Sequence, residues 1–269
     1  MRPLLIRSLL IGFLSILCLD AALWHLDPLG IRRHQDNLAT LWQSVIAHPS
    51  GYTYRAGLHE LDGWRTITLI DGTRFVPDTH PAQCIITFLG DSVTFGWGVN
   101  DHETFVNLLA QTTAGTQVVN AAHSGYSVEN SLLSRFVYRA EGYVWLVIDN
   151  DAQPAVWHTD LIPQPLPPAT SLYLTWLLRP HPPNPPASWG EYRVQADRLA
   201  QDNRVLVMGF TNDALIESLQ QSYPQVRTIP MYREQISIVD HHPNARGHQQ
   251  IAQAMQPYLA DFVERICGK

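Results

Sequence analysis

Ile85-Ile86-Thr87-Phe88-Leu89-Gly90-Asp91-Ser92-Val93-Thr94-Phe95-Gly96 is the stretch from which the fold can be read. A short apolar run stopped by a glycine is the mark of a buried strand, and the serine stands where a helix can begin. Open α/β sheets bind ligands outside the carboxyl ends of their strands, so a serine at this junction faces substrate. Its backbone N–H can also point at a developing oxyanion. Taken alone, Gly-Asp-Ser is equally an ordinary Asp/Ser helix cap.

The same rhythm continues outward. Further buried strands are predicted at 117–122, 143–148 and 204–210, with a weaker one at 225–229. Between them lie helical patterns. Leu133, Phe136 and Val137 share one face, as do Ile251, Met255, Leu259, Phe262 and Ile266 at spacings of three and four. Near-continuous apolar strands separated by helices predict a mostly parallel sheet covered on both faces, the doubly wound α/β class, over residues 81–269. One segment breaks the pattern. Residues 154–186 hold ten of the nineteen prolines, which marks an insertion over 151–190, with a short apolar helix predicted at 171–178.

Upstream of residue 81 the chain has a different character. Arg2 and Arg7 precede an apolar run that continues through Asp20 to Leu26, the grammar of a secretory signal or signal anchor over residues 1–27. No small-x-small cleavage site follows, so the expectation is an uncleaved transmembrane anchor with the main domain outside the cytoplasm, or a secreted protein if the segment is cut. Arg32–Arg33 place positive charge on the far flank too, and an amphipathic or buried helix is the alternative. Residues 28–80 read as a β-rich segment, with 64–70 alternating into an Asp71-Gly72 hairpin turn.

Composition narrows the function classes. The formal net charge is −6, and no basic stripe exists to neutralise phosphates, so no nucleic-acid partner is expected. The three cysteines form no Cys-x-x-Cys pair, which leaves a zinc site or a thioredoxin-like motif without support. Cys84, opening a core strand, reads as a buried small hydrophobe; a Cys84–Cys267 disulfide is the alternative outside the cytoplasm.

A serine hydroxyl becomes nucleophilic near neutral pH only when a base takes its proton, and imidazole suits that task. His242 lies in Val239-Asp240-His241-His242-Pro243-Asn244-Ala245-Arg246-Gly247-His248, just before the long amphipathic pattern. A carboxylate must hold its tautomer, and Asp240 is the local candidate. Oxyanion donors are expected from Ser92 N–H, from Gly125 after the second strand and from the Asn150 amide after the third. Each of these also has a plainer reading as strand-end turn chemistry. His241 adjoins the base, His248 reads as structural, and Trp97 is a candidate for either the core or the cleft.

These blocks together resemble the SGNH (GDSL-like) hydrolase superfamily across residues 83–265. Gly90–Ser92, Asn120–Gly125, Asn150–Asp151 and His242–His248 carry the likeness. The resemblance implies a flavodoxin-like three-layer α/β/α sheet with a Ser92–His242–Asp240 triad and an oxyanion hole of Ser92, Gly125 and Asn150. It implies hydrolysis of ester or O-acetyl groups on small molecules or glycans, with no metal and no organic cofactor. Its acid often stands three residues before the histidine, where this chain has Val239; Asp240 is two before. Ile148 stands where the family often has glycine. Asn212-Asp213 imitates the Asn-Asp block but comes one strand late, so Asn212 reads as a helix cap. The alternatives are an O-acetyltransferase acting on exported polysaccharide and a non-catalytic glycan- or partner-binding module.

Overall fold

A computed structural model describes residues 2–155, 188–238 and 240–268. Trp157, Trp176, the helix predicted at 171–178 and most of the 151–190 insertion lie outside the described residues.

The chain opens with α1 (Arg2–Leu26), which over Ile6–Leu26 is long and apolar enough to cross a membrane and buries none of that span against the rest of the protein. Asp27 ends it with a left-handed φ of 38°. The Asp27 carboxylate then accepts the backbone N–H groups of Arg32 at 3.2 Å and Arg33 at 2.9 Å, capping α2 (Ile31–Trp42). This helix was not foreseen in a segment read as β-rich. Its sequence is mostly polar, and only Ile31, Asn37 and Leu41 are buried.

Two hairpins follow: β1 (Val45–His48) with β2 (Gly51–Tyr54), and β3 (Gly57–Leu61) with β4 (Trp64–Thr68). The tight turn beside β4 is Asp62-Gly63, at its start, and not Asp71-Gly72 at its end. β4 stops at Thr68 and Ile70 points into solvent, 98% exposed. The chain loops through Asp71-Gly72 and returns as an isolated bridge at Arg74, which pairs Thr68 on one side and Asn120 on the other. That bridge fastens the hairpin to the rim of the main sheet.

The main sheet contains β5 (Cys84–Leu89), β6 (Thr116–Asn120), β7 (Gly142–Val147), β8 (Val205–Phe210) and β9 (Arg227–Ile229). All are parallel, in the spatial order β6-β5-β7-β8-β9. Counted within the sheet this is 2-1-3-4-5, the flavodoxin-like order, with its topological switch point between β5 and β7. Alternation of side chains along β7 feeds two cores. Val144 and Leu146 pack with Phe105 and Leu109 of α4 (Phe105–Ala110) and with Ile251, Met255, Leu259 and Phe262 of the C-terminal helix. Tyr143, Trp145 and Val147 pack with Ala196, Leu199, Leu215 and Leu219 on the opposite face. The layers are α/β/α.

The face predicted from Leu133, Phe136 and Val137 is corrected by the structure. In α5 (Val128–Val137) the buried residues are Val128, Asn130, Ser131 and Ser134, while Phe136 is 71% exposed. Small polar side chains allow a close approach to the hairpin segment, where Asn130 Nδ2 donates to the Ser50 carbonyl at 2.8 Å. The second face is α6 (Arg193–Gln201) and α7 (Ala214–Ser222), and the last helix is α8 (Ala245–Cys267). Cys84 is not a free buried thiol. It is bonded to Cys267, joining the start of β5 to the end of α8.

Candidate active site

β5 ends at the switch point, and Gly90 turns the chain there with φ of 141°. A Cβ at this position would meet Thr94 Oγ1 at 2.6 Å, so the turn admits only glycine. Asp91 then caps α3 (Ser92–Phe95), its Oδ1 accepting the Val93 N–H at 3.0 Å. The plain capping role thus belongs to Asp91, and it leaves Ser92 free to face another partner.

That partner is His242. Its Nε2 lies 2.8 Å from Ser92 Oγ, and its Nδ1 lies 2.6 Å from Asp240 Oδ1. Ser92 comes from the carboxyl end of β5 and His242 from the loop before α8, 150 positions apart. With Nδ1–H donated to the carboxylate, Nε2 is bare and can accept the serine proton. Ser92 Oγ also reaches Asp91 Oδ2 at 2.9 Å, so its single proton has two acceptors and serves one at a time.

Asp240 is 5% exposed and saturated with donors. Oδ1 accepts His242 Nδ1 and, at 3.2 Å, the His242 backbone N–H. Oδ2 accepts His34 Nδ1 at 2.8 Å and Trp97 Nε1 at 3.1 Å. Burial alone would push this carboxyl up; the hydrogen bonds from His242 and then His34 outweigh it and hold Asp240 well below the usual carboxylate range.

Asn150 follows β7 in the short turn Asp149–Ala152, on the other side of the switch point. Its Nδ2 donates to Asp91 Oδ2 at 3.1 Å, the oxygen that Ser92 also uses. Burial pushes the Asp91 carboxyl up despite the opposing charge of His242. Beside Asn150, Asp151 Oδ2 accepts the Ile148 N–H at 2.8 Å, and burial followed by the Asp91 charge pushes Asp151 up strongly. Gly125 turns the loop after β6 with φ of 79°. Among the described residues it forms no hydrogen bond with Ser92, His242 or Asp240. That loop does lie against the Gly90 turn, since His123 N–H donates to the Gly90 carbonyl at 3.3 Å. Asn120 Nδ2 donates to the Thr94 carbonyl at 3.0 Å and so ties α3 to the end of β6.

The neighbouring sequence candidates separate cleanly. His241 turns to Gln235 at 3.1 Å, away from Ser92. His248 is buried, accepts the Phe105 N–H at 3.2 Å and stacks on Phe105; burial, then the Arg74 charge, lowers it to about 3. Asn212 is not the helix cap. It takes a left-handed turn with φ of 68°, and Asp213 caps α7 through the Leu215 and Ile216 N–H groups. Trp97 is 3% exposed and stands behind the acid, not in the cleft.

Sequence reading missed two supports. His34 comes from α2, with no local motif to announce it. Arg74 is buried and paired with Asp101 at 2.8 Å; its Nη1 donates to the Phe95 and Gly96 carbonyls at 2.6 Å each, and its Nη2 to Val99 at 2.7 Å. It braces the loop that follows Ser92. A cleft of about 1010 Å³ is bounded by Val93, Ile148, Asp149, Gln153, Tyr232 and His241, which include the chain neighbours of Ser92, Asn150 and His242. Among the described residues, no group of three or more His, Cys, Asp or Glu side chains is placed to hold a metal ion.

Solved structures with similar folds can be set beside this one. A family two carbohydrate esterase from Cellvibrio japonicus shares 17% identity over 72% of this chain and 65% of its own, with a TM-score of 0.43. TesA shares 15% over 66% of this chain and 99% of its own, at 0.44. A lipolytic protein of the G-D-S-L family from Veillonella parvula shares 14% over 66% and 98%, at 0.39. No protein-family profile matches the chain, and no curated protein matches it significantly.

Proposed function

We propose that this chain is a serine esterase or deacetylase working through an acyl-enzyme. The observation that carries the reading is the Ser92 Oγ–His242 Nε2–Asp240 line, at 2.8 and 2.6 Å, standing at the switch point of a parallel sheet. Ser92 Oγ attacks the ester carbonyl carbon as its proton passes to His242 Nε2. Asp240 steadies the imidazolium. The oxyanion is held by the Ser92 and Gly125 N–H groups and the Asn150 amide. Collapse expels the alcohol, which takes the proton from His242. Water then repeats the sequence and releases the acid.

The cleft offers polar and aromatic groups with Asp149 and Asp213 on its walls. This lining suits a neutral ester or an O-acetylated sugar better than an anionic substrate. The Cys84–Cys267 bond and the exposed apolar α1 favour a membrane-anchored chain whose catalytic domain stands outside the cytoplasm.

The test is hydrolysis of p-nitrophenyl acetate and longer acyl esters by the full chain in detergent, with Ser92→Ala beside it. Turnover that disappears in the variant supports the reading, and the preferred chain length sizes the acyl pocket. Folded protein with neither turnover nor fluorophosphonate labelling at Ser92 would falsify it. Appearance of the acyl group on a glycan in place of free acid would assign the same triad to an O-acetyltransferase.

A further inference from the structure

We propose that His34 is a positioning residue of the catalytic centre, a second histidine that locks the triad acid from its far side. The inference rests on the esterase reading above. It begins from an asymmetry at Asp240. Both contacts of Oδ1 come from His242, two residues on, and so lie within one tight loop. Both contacts of Oδ2 come from distant parts of the chain, Trp97 and His34, the latter 206 positions away. A carboxylate held through one oxygen turns about its χ2 bond, because terminal sp³–sp² torsions are broad. Held through both, it keeps Oδ1 on His242 Nδ1.

His34 is well suited to that hold because its helix cannot drift. Asp27 caps the start of α2 and Leu41 is buried near its end. Between them Asn37 exchanges two hydrogen bonds with Asp62, Nδ2 to the carbonyl at 3.0 Å and Oδ1 from the N–H at 2.7 Å. The His34 ring stands edge-on to Trp97 at 5.6 Å, and the Trp97 indole lies tilted against His242 at 5.9 Å. Two imidazoles and one indole thus surround a single carboxylate. A carboxylate oxygen accepts, so the 2.8 Å contact has His34 Nδ1 donating its N–H to Asp240 Oδ2. An acid so held exerts its field on His242 when the imidazolium forms, which is a transition-state effect and not a substrate contact.

The full chain in detergent is assayed as wild type, Ser92→Ala, His34→Ala and His34→Asn. Asparagine places an amide N–H near the position of Nδ1. The expected result is a kcat about ten- to a hundredfold lower in His34→Ala, the usual scale for residues that hold a functional group's partner, with KM within about twofold. His34→Asn recovers most of the loss, and fluorophosphonate labelling of Ser92 slows and recovers in parallel. His34→Ala with wild-type kcat and labelling rate overturns the inference. So does a loss that asparagine does not relieve and that matches the fraction unfolded by circular dichroism. Wild type without Ser92-dependent turnover or labelling removes the esterase reading, and this inference with it.

Discussion

Asn150 and Asp91 are joined by a hydrogen bond of 3.1 Å that crosses the switch point of the sheet, from the turn after β7 to the turn after β5. The acceptor, Asp91 Oδ2, is also within 2.9 Å of the Ser92 hydroxyl, so one carboxylate oxygen fixes the spacing between Ser92 and the Asn150 amide.

On the proposed esterase reading, with Asn150 as an oxyanion donor, Asn150→Ala is expected to lower kcat about a hundred- to a thousandfold. Asp91→Ala removes the anchor of that donor. The two losses overlap, and the double variant falls little below the worse single one. A double-mutant cycle on kcat/KM measures the coupling; strictly additive effects would separate the two residues.

Asp240→Asn keeps the shape of the acid and loses its charge, and kcat is expected to fall about ten-thousandfold. The same variant reads out stability. The folded-state pKa of Asp240 lies below that of the unfolded chain, so its contribution is complete above about pH 4 and is lost as pH falls further. The Tm difference between wild type and variant should stay constant from pH 5 to 8 and shrink in stronger acid. A difference that instead grew below pH 4 would reverse the sign.

Arg74 is buried against Asp101 and three carbonyls of the loop after Ser92. Arg74→Ala leaves a buried carboxylate without its partner and should cost about 3–5 kcal/mol in chemical unfolding. Arg74→Lys keeps the charge but cannot reach all the carbonyls, and should fall between the two.

The Cys84–Cys267 bond closes a loop with a sequence separation of 183. On chain entropy alone a loop of this length contributes about 5 kcal/mol, an upper figure for natural bonds. Reduction, or Cys267→Ala, should lower Tm measurably while leaving kcat within about twofold, because the bond lies at the end of the sheet opposite Ser92. Equal Tm under oxidising and reducing conditions would count against it.

The grouping of Ser92, His242 and Asp240 was legible because each sits in a short motif at a strand or helix end, where local chemistry announces itself. The sheet was legible for a related reason, since buried parallel strands are continuous apolar runs. Long-range partnership was not. Nothing around His34 distinguishes it from any polar helix residue, and its contact spans most of the chain. Trp97 looked as fit for a cleft as for a core; only the fold turns its indole N–H onto the acid. The face of α5 was misread because an apolar-moment argument cannot value Ser131 and Ser134, which are buried for their small size.

The Asp27 clip sits where α1 ends and α2 begins, and only eight positions separate Leu26 from His34. The span between them is therefore no more than on the order of 30 Å. For a chain held in a bilayer by α1, that span is a working height. Esters carried just above the lipid face would meet Ser92 at the millimolar effective concentration typical of short tethers, and those dispersed in bulk would not. A flexible spacer between Leu26 and Asp27 would then slow turnover of membrane-borne esters and spare soluble ones. On this view altitude above the bilayer selects substrate before the cleft does.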